Sequence, residues 1–248
     1  MPLKQLSTHV WLFPFEKGEH ITQPNIGIIA DGEHTVLIDA GNGAPHAERI
    51  KTAVFHQGFA PVSQIIYTHY HWDHVFGAHC FDVPIIANQR AVSYLERQRS
   101  YPWGKSFLQE RWVKKPRMRA QVMEMLKSAG DWETFEIKMP TLVFDQQFEL
   151  ELPNVTLSLY HVGGIHAQDS IIVEVKDEGI VFVADSYYPP PTYEQEPGEE
   201  DYLDLEIIRD FLTPDADIYV DGHNKPFSTR QMQYLIRFHE MKQASAAK

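Results

Sequence analysis

The chain has 248 residues, 43% hydrophobic and 23% charged, with a formal net charge of −12. That is globular composition, long enough to bury a core without staples, and no stretch reaches the roughly 18 apolar residues that span a bilayer. The net charge argues against a general nucleic-acid binder, which needs a basic surface to release counterions, and the single cysteine, Cys80, cannot form an intramolecular disulfide.

The first fifteen residues alternate apolar and polar and carry Pro14, with no basic region followed by an apolar one, so they do not read as a signal peptide. Together with the lone thiol this makes the expected compartment cytoplasmic. Cys80 follows His79, but it reads better as a small buried hydrophobe than as a ligand.

In chain order, Val10 to Phe15 is a short apolar run. Asn25 to Ala30 and Thr35 to Asp39 flank Asp31-Gly32, a hairpin signal. Pro45 to Gln57 reads as a helix with proline in its first turn and Gly58 as its stop. Ile65 to Thr68 is a short strand. Ala91 to Ala129 has helix-forming composition broken near Pro102-Trp103-Gly104 and at Pro116. Strand signals return at Leu142 to Phe144, Phe148 to Leu152, Val155 to Tyr160, Ser170 to Val175 and Ile180 to Ala184, with Asp177, Glu178 and Gly179 as a turn. Leu203 to Phe211 reads as a helix, Ile218 to Val220 as a strand, and Ser228 to Met241 as a terminal helix N-capped by Ser228. Two strand-rich halves, each flanked by helix, imply an α/β four-layer sandwich (helix, sheet, sheet, helix) with a helical insertion. No repeat or low-complexity segment interrupts it. The expected organisation is one domain over residues 1–248, with a lid-like insertion at about 88–140.

The chemistry concentrates in Thr68-His69-Tyr70-His71-Trp72-Asp73-His74, directly after the Ile65 strand. Residues two apart in an extended segment point to one side, so His69 and His71 can grip one ion. If the chain then turns helical, Asp73 and His74 point elsewhere and can grip a second. Imidazole and carboxylate are the donor set of catalytic zinc.

The sequence here resembles the metallo-β-lactamase superfamily, whose mark is His-x-His-x-Asp-His after a strand. Four further marks occur in order: Asp39-Ala40-Gly41 at a strand end, His166 four residues before Ser170 and its strand, Asp185 ending Val181 to Ala184, and Gly222-His223 after a late strand. The resemblance implies a first metal on His69, His71 and His166. It implies a second on Asp73, His74 and His223, with Asp185 and a water bridging both and Asp39 orienting a ligand. Three departures stand out: Ala167 where Thr is usual, Ala184 where Gly often precedes the Asp, and Asn224 where a second Gly often follows the His. His161 is a rival to His166. His9, His20, His34, His46, His56, His79 and His239 have no partner spacing and read as ordinary histidines.

The resemblance implies two zinc ions per chain, with iron or manganese as alternatives, and hydrolysis by a metal-bridging hydroxide. Asp73 could also handle a proton, and the hydroxyl of Tyr187 or Tyr188 could assist an oxyanion. Asp185 in place of a ligating cysteine demotes antibiotic hydrolysis, the charge demotes RNA processing, and the complete second set demotes a mononuclear iron dioxygenase. What remains looks most like glyoxalase II and the lactonases: attack on a lactone, thioester or carboxylic ester. Phosphodiester or phosphonate hydrolysis, β-lactam hydrolysis on the same site, and a non-catalytic metal-binding protein are the alternatives. The expected partner is a small-molecule substrate, with no nucleic acid and no membrane.

From Arg90 to Arg119 there are nine basic and two acidic residues, while Glu194 to Glu206 holds seven acidic and no basic ones. Tyr101, Trp103, Phe107 and Trp112, with Arg97 and Arg99, read as a lid whose aromatics enclose an apolar part of the substrate and whose cations attract a negative group. The competing readings are a solvated helix pair, a homodimer interface, or pairing of this basic stretch with the acidic one.

Overall fold

The alternation of apolar residues along the strands builds the layers. In the computed structural model, residues 3–18, 21–196, 202–212 and 215–246 are described; His20, Glu199, Glu200 and Asp201 lie outside this set. The N-terminal half contains β1 (Lys4–Gln5), β2 (Val10–Phe13), a β3–β4 hairpin (Glu16–Gly18, Ile21–Gln23), β5 (Ile26–Ala30), β6 (Thr35–Ile38), α1 (Ala44–His56), β7 (Val62–Ile66), α2 (Trp72–Val75) and β8 (Ile85–Asn88). The insertion carries α3 (Ala91–Arg99), α4 (Lys105–Lys114) and α5 (Arg119–Ser128). Then follow β9 (Leu142–Phe144), β10 (Gln147–Leu152), β11 (Val155–His161), β12 (Ile171–Val175), β13 (Ile180–Ala184), α6 (Glu206–Arg209), β14 (Ile218–Asp221), β15 (Phe227–Ser228) and α7 (Thr229–Ala246).

The strands form a seven-stranded sheet in the order β1-β2-β5-β6-β7-β8-β9 and a six-stranded sheet in the order β10 to β15. Pairing is antiparallel from β1 to β6, then parallel through β7, β8 and β9. The second sheet is antiparallel except for the β13–β14 pair.

Period-two burial separates three apolar layers. Between the sheets lie Val36, Ile38 and Ile66 of the first, against Leu157, Val173 and Phe182 of the second. On the outer face of the first sheet, Leu37 and Ile65 meet Ile50 and Val54 of α1 together with Leu108, Val122 and Met125 of the insertion. On the outer face of the second, Ile172, Val181 and Val183 meet Ile208, Met232 and Ile236. Strands buried on both faces read as continuous apolar runs, as β5, β6 and β13 do. This is the four-layer α/β sandwich expected from the sequence.

The insertion breaks where its prolines and Gly104 fall, giving α3, α4 and α5. It is not merely laid over the surface, because α5 seals part of the outer core. α1 begins with proline in its first turn and stops before Gly58, whose φ of +77° is left-handed backbone that glycine adopts without strain. Three expectations need adjusting. The helix expected over Leu203 to Phe211 is α6, one turn long. The apolar run from Val10 ends as strand at Phe13, before Pro14. The strand β8 has no counterpart among the expected elements, because Ile85 to Asn88 is too short a run to carry a period.

Candidate metal centre

Five chain segments reach one end of the sandwich, and four of them leave the C-terminal ends of parallel-paired strands, where α/β sheets put their ligand crevices. Asp39 follows β6 and His69 to His74 follow β7, while Asp185 follows β13 and His223 follows β14. The fifth carries His166, between β11 and β12. Chain direction changes at His71, which is extended (φ −66°, ψ 147°) and caps α2. The segment is thus extended through His69 and His71 and helical at Asp73 and His74, so the two pairs face different ways.

Three sets of donors converge, each with its atoms within 4.8 Å of one another: His69, His71 and His166; His69, His74 and Asp185; Asp73, His74 and His223. In every set two members come from the loop after β7 and the third comes from the second sheet's side. In the first set, His71 Nδ1 lies 3.1 Å from His69 Nε2 and 2.9 Å from His166 Nε2. Asp185 Oδ2 lies 3.1 Å from His223 Nε2, 3.4 Å from His74 Nε2 and 3.5 Å from His166 Nε2. Asp73 Oδ2 is 3.3 Å from His223 Nε2. His161, the rival, turns away and bonds the Gln168 carbonyl at 2.9 Å. The seven residues expected as ligands therefore meet in one place, each less than a tenth exposed except His166, which is partly buried.

The donor set suits a cation. His166 donates from Nδ1 to the Pro189 carbonyl at 2.8 Å, leaving the Nε2 lone pair inward. His74 is held the same way, its Nδ1 giving a 2.7 Å bond to Asp39 Oδ2. Buried polar atoms without a hydrogen-bond partner include His74 Nε2 and Asp185 Oδ1, an arrangement that costs energy unless something satisfies it. Burial and the neighbouring rings hold His69 and His71 well below the ordinary histidine range, so they are neutral donors. Burial opposes charge on His74 and His223 as well, but the carboxylates of Asp73 and Asp185, with Asp39 at His74, outweigh it and push His223 up to about 10. Positive charge is thus favoured where the carboxylates gather.

Backbone and packing hold this arrangement. Asp39 receives the Thr68 N–H at 2.8 Å and the Thr68 hydroxyl at 2.7 Å, tying β6 to the start of the histidine loop. Asp39 (φ 66°) and Ala184 (φ 45°) are the two non-glycine residues with left-handed backbone among those described. The second stands immediately before Asp185, which explains why glycine suits that position. A Cβ on Gly222 would lie 1.9 Å from Asp185 Oδ1, so only glycine lets the β14 loop approach so closely.

Tyr187 is not brought to the cluster. Its ring is fully buried and its hydroxyl donates to Asp221 Oδ2 at 2.6 Å, which removes it as an oxyanion donor. Tyr188 donates to the same oxygen at 2.8 Å. Asp221 is the residue that sequence reasoning missed. Besides the two tyrosines it accepts the Asn224 side chain at 2.8 Å and the backbone N–H groups of His223 (3.2 Å) and Asn224 (2.8 Å). Its place at a strand end, two residues before a ligand, is the only signal the chain offers.

Beside the cluster, between the histidine loop and the insertion, lies a cavity of about 780 Å³ with His71 and Trp72 in its wall. Of the six insertion residues singled out, Arg97, Tyr101 and Trp103 line it. Phe107 and Trp112 pack against the outer core, and Arg99 is exposed. Tyr193 and Glu194, from the acidic stretch, also line it, and Arg117 reaches the Gln195 carbonyl at 3.5 Å.

The family model described as the metallo-beta-lactamase superfamily matches residues 21–223. A curated relative, the "Probable metallo-hydrolase YybB" of Bacillus subtilis (strain 168), is 33% identical over 107 residues, 41% of this chain and 47% of that protein, so the match spans just under half of the relative's length. Among solved structures, a metallo-beta-lactamase from Pontibacter korlensis superposes with a TM-score of 0.65 at 17% identity, covering 95% of this chain and 96% of that one. A metallo-beta-lactamase family protein from Thermus thermophilus gives 0.66 at 16% identity, covering 96% and 81%. One from Hirschia baltica gives 0.61 at 19%, covering 94% and 95%. At these identities the likeness is one of fold.

Proposed function

The chain belongs to the metallo-β-lactamase superfamily, and from that premise we propose that it is a metal-dependent hydrolase of ester-like carbonyls: a lactone, thioester or carboxylic ester. The observation that carries this reading is the overlap of the three donor sets. His69 and His74 each belong to two of them, and Asp185 stands between the others. Such an overlap suits two neighbouring ions better than one. Imidazole nitrogens with carboxylates favour zinc, with iron or manganese as the competing occupants. Bound there, two ions would supply Lewis acidity and a hydroxide at neutral pH.

The chain's own residues then have distinct tasks. His69, His71 and His166 offer neutral nitrogens at one side; Asp73, His74 and His223 offer a more anionic set at the other. Asp185, within 3.1–3.5 Å of imidazoles from both, fixes the separation of the two sides. Asp39 holds the His74 ring by its outer nitrogen. Asp73, a ligand in this reading, could also take a proton after attack. Residues 1–248 act as one catalytic domain, with the insertion at about 88–140 walling the substrate cavity. Phosphodiester hydrolysis is the second reading, supported by the cations that face that cavity.

The test is a matched panel of a lactone, a thioester, an aryl ester, a β-lactam and a phosphodiester, run on zinc-loaded wild type and Asp185→Ala, with metal content measured on both. Expected are turnover concentrated on the first three and a loss of roughly a thousandfold or more in the variant, as follows from losing several kcal/mol of charge stabilisation. Turnover of the phosphodiester alone would transfer the reading to phosphoryl chemistry.

A further inference from the structure

The cavity beside the metal loop has a charge out of keeping with the protein. The chain carries −12, yet Arg97, Arg111, Lys114, Lys115 and Arg117 line this one space and, among the described residues, Glu194 is its one acidic lining residue. Lys114 is committed elsewhere, bonded to Glu110. Arg117 donates to the Gln195 carbonyl.

The cation nearest to a fixed position is Arg111. Its guanidinium lies 4.6 Å from the Tyr101 ring centroid and 4.8 Å from that of Phe107, and it contacts Met118 Sδ at 3.7 Å. Packed against this adjacent pair of rings, it keeps its charge but loses rotamer freedom, so an anion meeting it would meet a preorganised fork. Tyr101 and Trp103 give the same cavity an aromatic wall, and His71 and Trp72 connect it to the centre. Low-dielectric walls with one sign of charge focus the field on whatever enters.

We propose that the substrate carries, remote from the bond that is cut, an anionic group (a carboxylate or phosphate) which this cluster of Arg97, Arg111, Lys115 and Arg117 binds while an apolar part lies against Tyr101 and Trp103. The proposal rests on the hydrolase reading for the nature of the cut bond, but not for the binding of the anion. Lys115 and Arg97 are exposed and steer; Arg111, half-buried and stacked, anchors.

The experiment uses two chromogenic esters: the 4-nitrophenyl monoester of suberic acid, with its far carboxylate free, and the same ester with that carboxylate made a primary amide. Zinc-loaded wild type is compared with Arg111→Gln and with the surface double variant Arg97→Gln/Lys115→Gln, which keeps the test alive if the first fails to fold. The expected result is a KM for the acid at least roughly tenfold below that for the amide, the size of one charge-assisted contact. The ratio of the two KM values should shrink toward one in both variants and at high salt. Binding is read separately by titration calorimetry of suberate monoamide and of octyl phosphate against wild type, so a protein that cuts neither ester still returns an answer. Anion binding that weakens in the variants supports the proposal even if hydrolysis is absent, and the stronger of the two ligands distinguishes carboxylate from phosphate. Equal KM values for acid and amide, or anion binding untouched by either variant, overturns it.

Discussion

His46 has the least accommodated side chain near the centre. It sits in the first turn of α1, fully buried, with neither ring nitrogen bonded, stacked obliquely on Phe13 at 5.3 Å and filling the space beneath Gly41. Burial, with Arg49 and His74 adding to it, pulls its pKa down to about 3. The folded chain therefore keeps it neutral where the unfolded chain, at about 6.5, takes up a proton. The stability this group allows is complete above about pH 6.5 and is lost as pH falls toward 3, by up to about 1.4 kcal/mol per pH unit. Urea unfolding of wild type and His46→Leu at several pH values between about 7 and 4 should differ in slope by close to one proton; parallel curves would refute the assignment. Such a residue is not legible in the chain, where His46 looks like any histidine on a helix. His69, His71, Asp73 and His74 are legible, because alternation in an extended segment and a turn into helix act over six residues. His166, Asp185 and His223 are legible only through resemblance, since separations of about a hundred residues carry no geometry of their own. Tyr187 misleads because the direction of its hydroxyl depends on how the β13 and β14 ends approach each other, and Asp221 escapes notice for the same reason.

At the scale of elements, local signals work where they are reciprocal. Ser228 caps α7 and receives the Gln231 N–H at 3.3 Å, while the Gln231 side chain accepts the Ser228 N–H at 2.8 Å. That is a capping box, two orphan donors satisfied at once. Ser228→Ala should cost about 1 kcal/mol in chemical denaturation, with metal content unchanged; a loss of bound metal would mean that α7 supports the centre more directly than its packing on Met232 and Ile236 suggests. The insertion's breaks are readable from Pro102, Gly104 and Pro116. Its depth is not: Val122 and Met125 bury themselves against the first sheet, whereas sequence composition points only to a cover. α6 falls short of its expected length because the apolar residues Leu203, Leu205, Phe211 and Leu212 pack as loop and turn rather than as successive helix turns.

At the scale of the molecule, the centre fastens one half to the other. The first sheet supplies the histidine loop; the second supplies His166, Asp185 and His223. An ion held by both favours the folded arrangement over any state in which the halves separate, by an amount that grows with its concentration over Kd. Removing metal with a chelator should lower the thermal midpoint by roughly 5–10 °C, the effect of about 2.7 kcal/mol on a chain of this length. Zinc should restore it, and Asp185→Ala, which keeps the other two donor sets, should show a smaller response to both treatments. An unchanged midpoint in wild type would mean that the apolar layers alone join the halves.

The same division of ligands has a consequence for biosynthesis. His74 leaves the ribosome about 150 residues before His223, an interval on the order of ten seconds or more at ordinary elongation rates. Throughout it the set of Asp73, His74 and His223 is short of its third member, whereas His166 and Asp185 complete the other two sets about 60 and about 40 residues earlier. The centre is therefore finished in steps, its last donor set only when β14 joins the second sheet, so ions compete for that set later than for the other two.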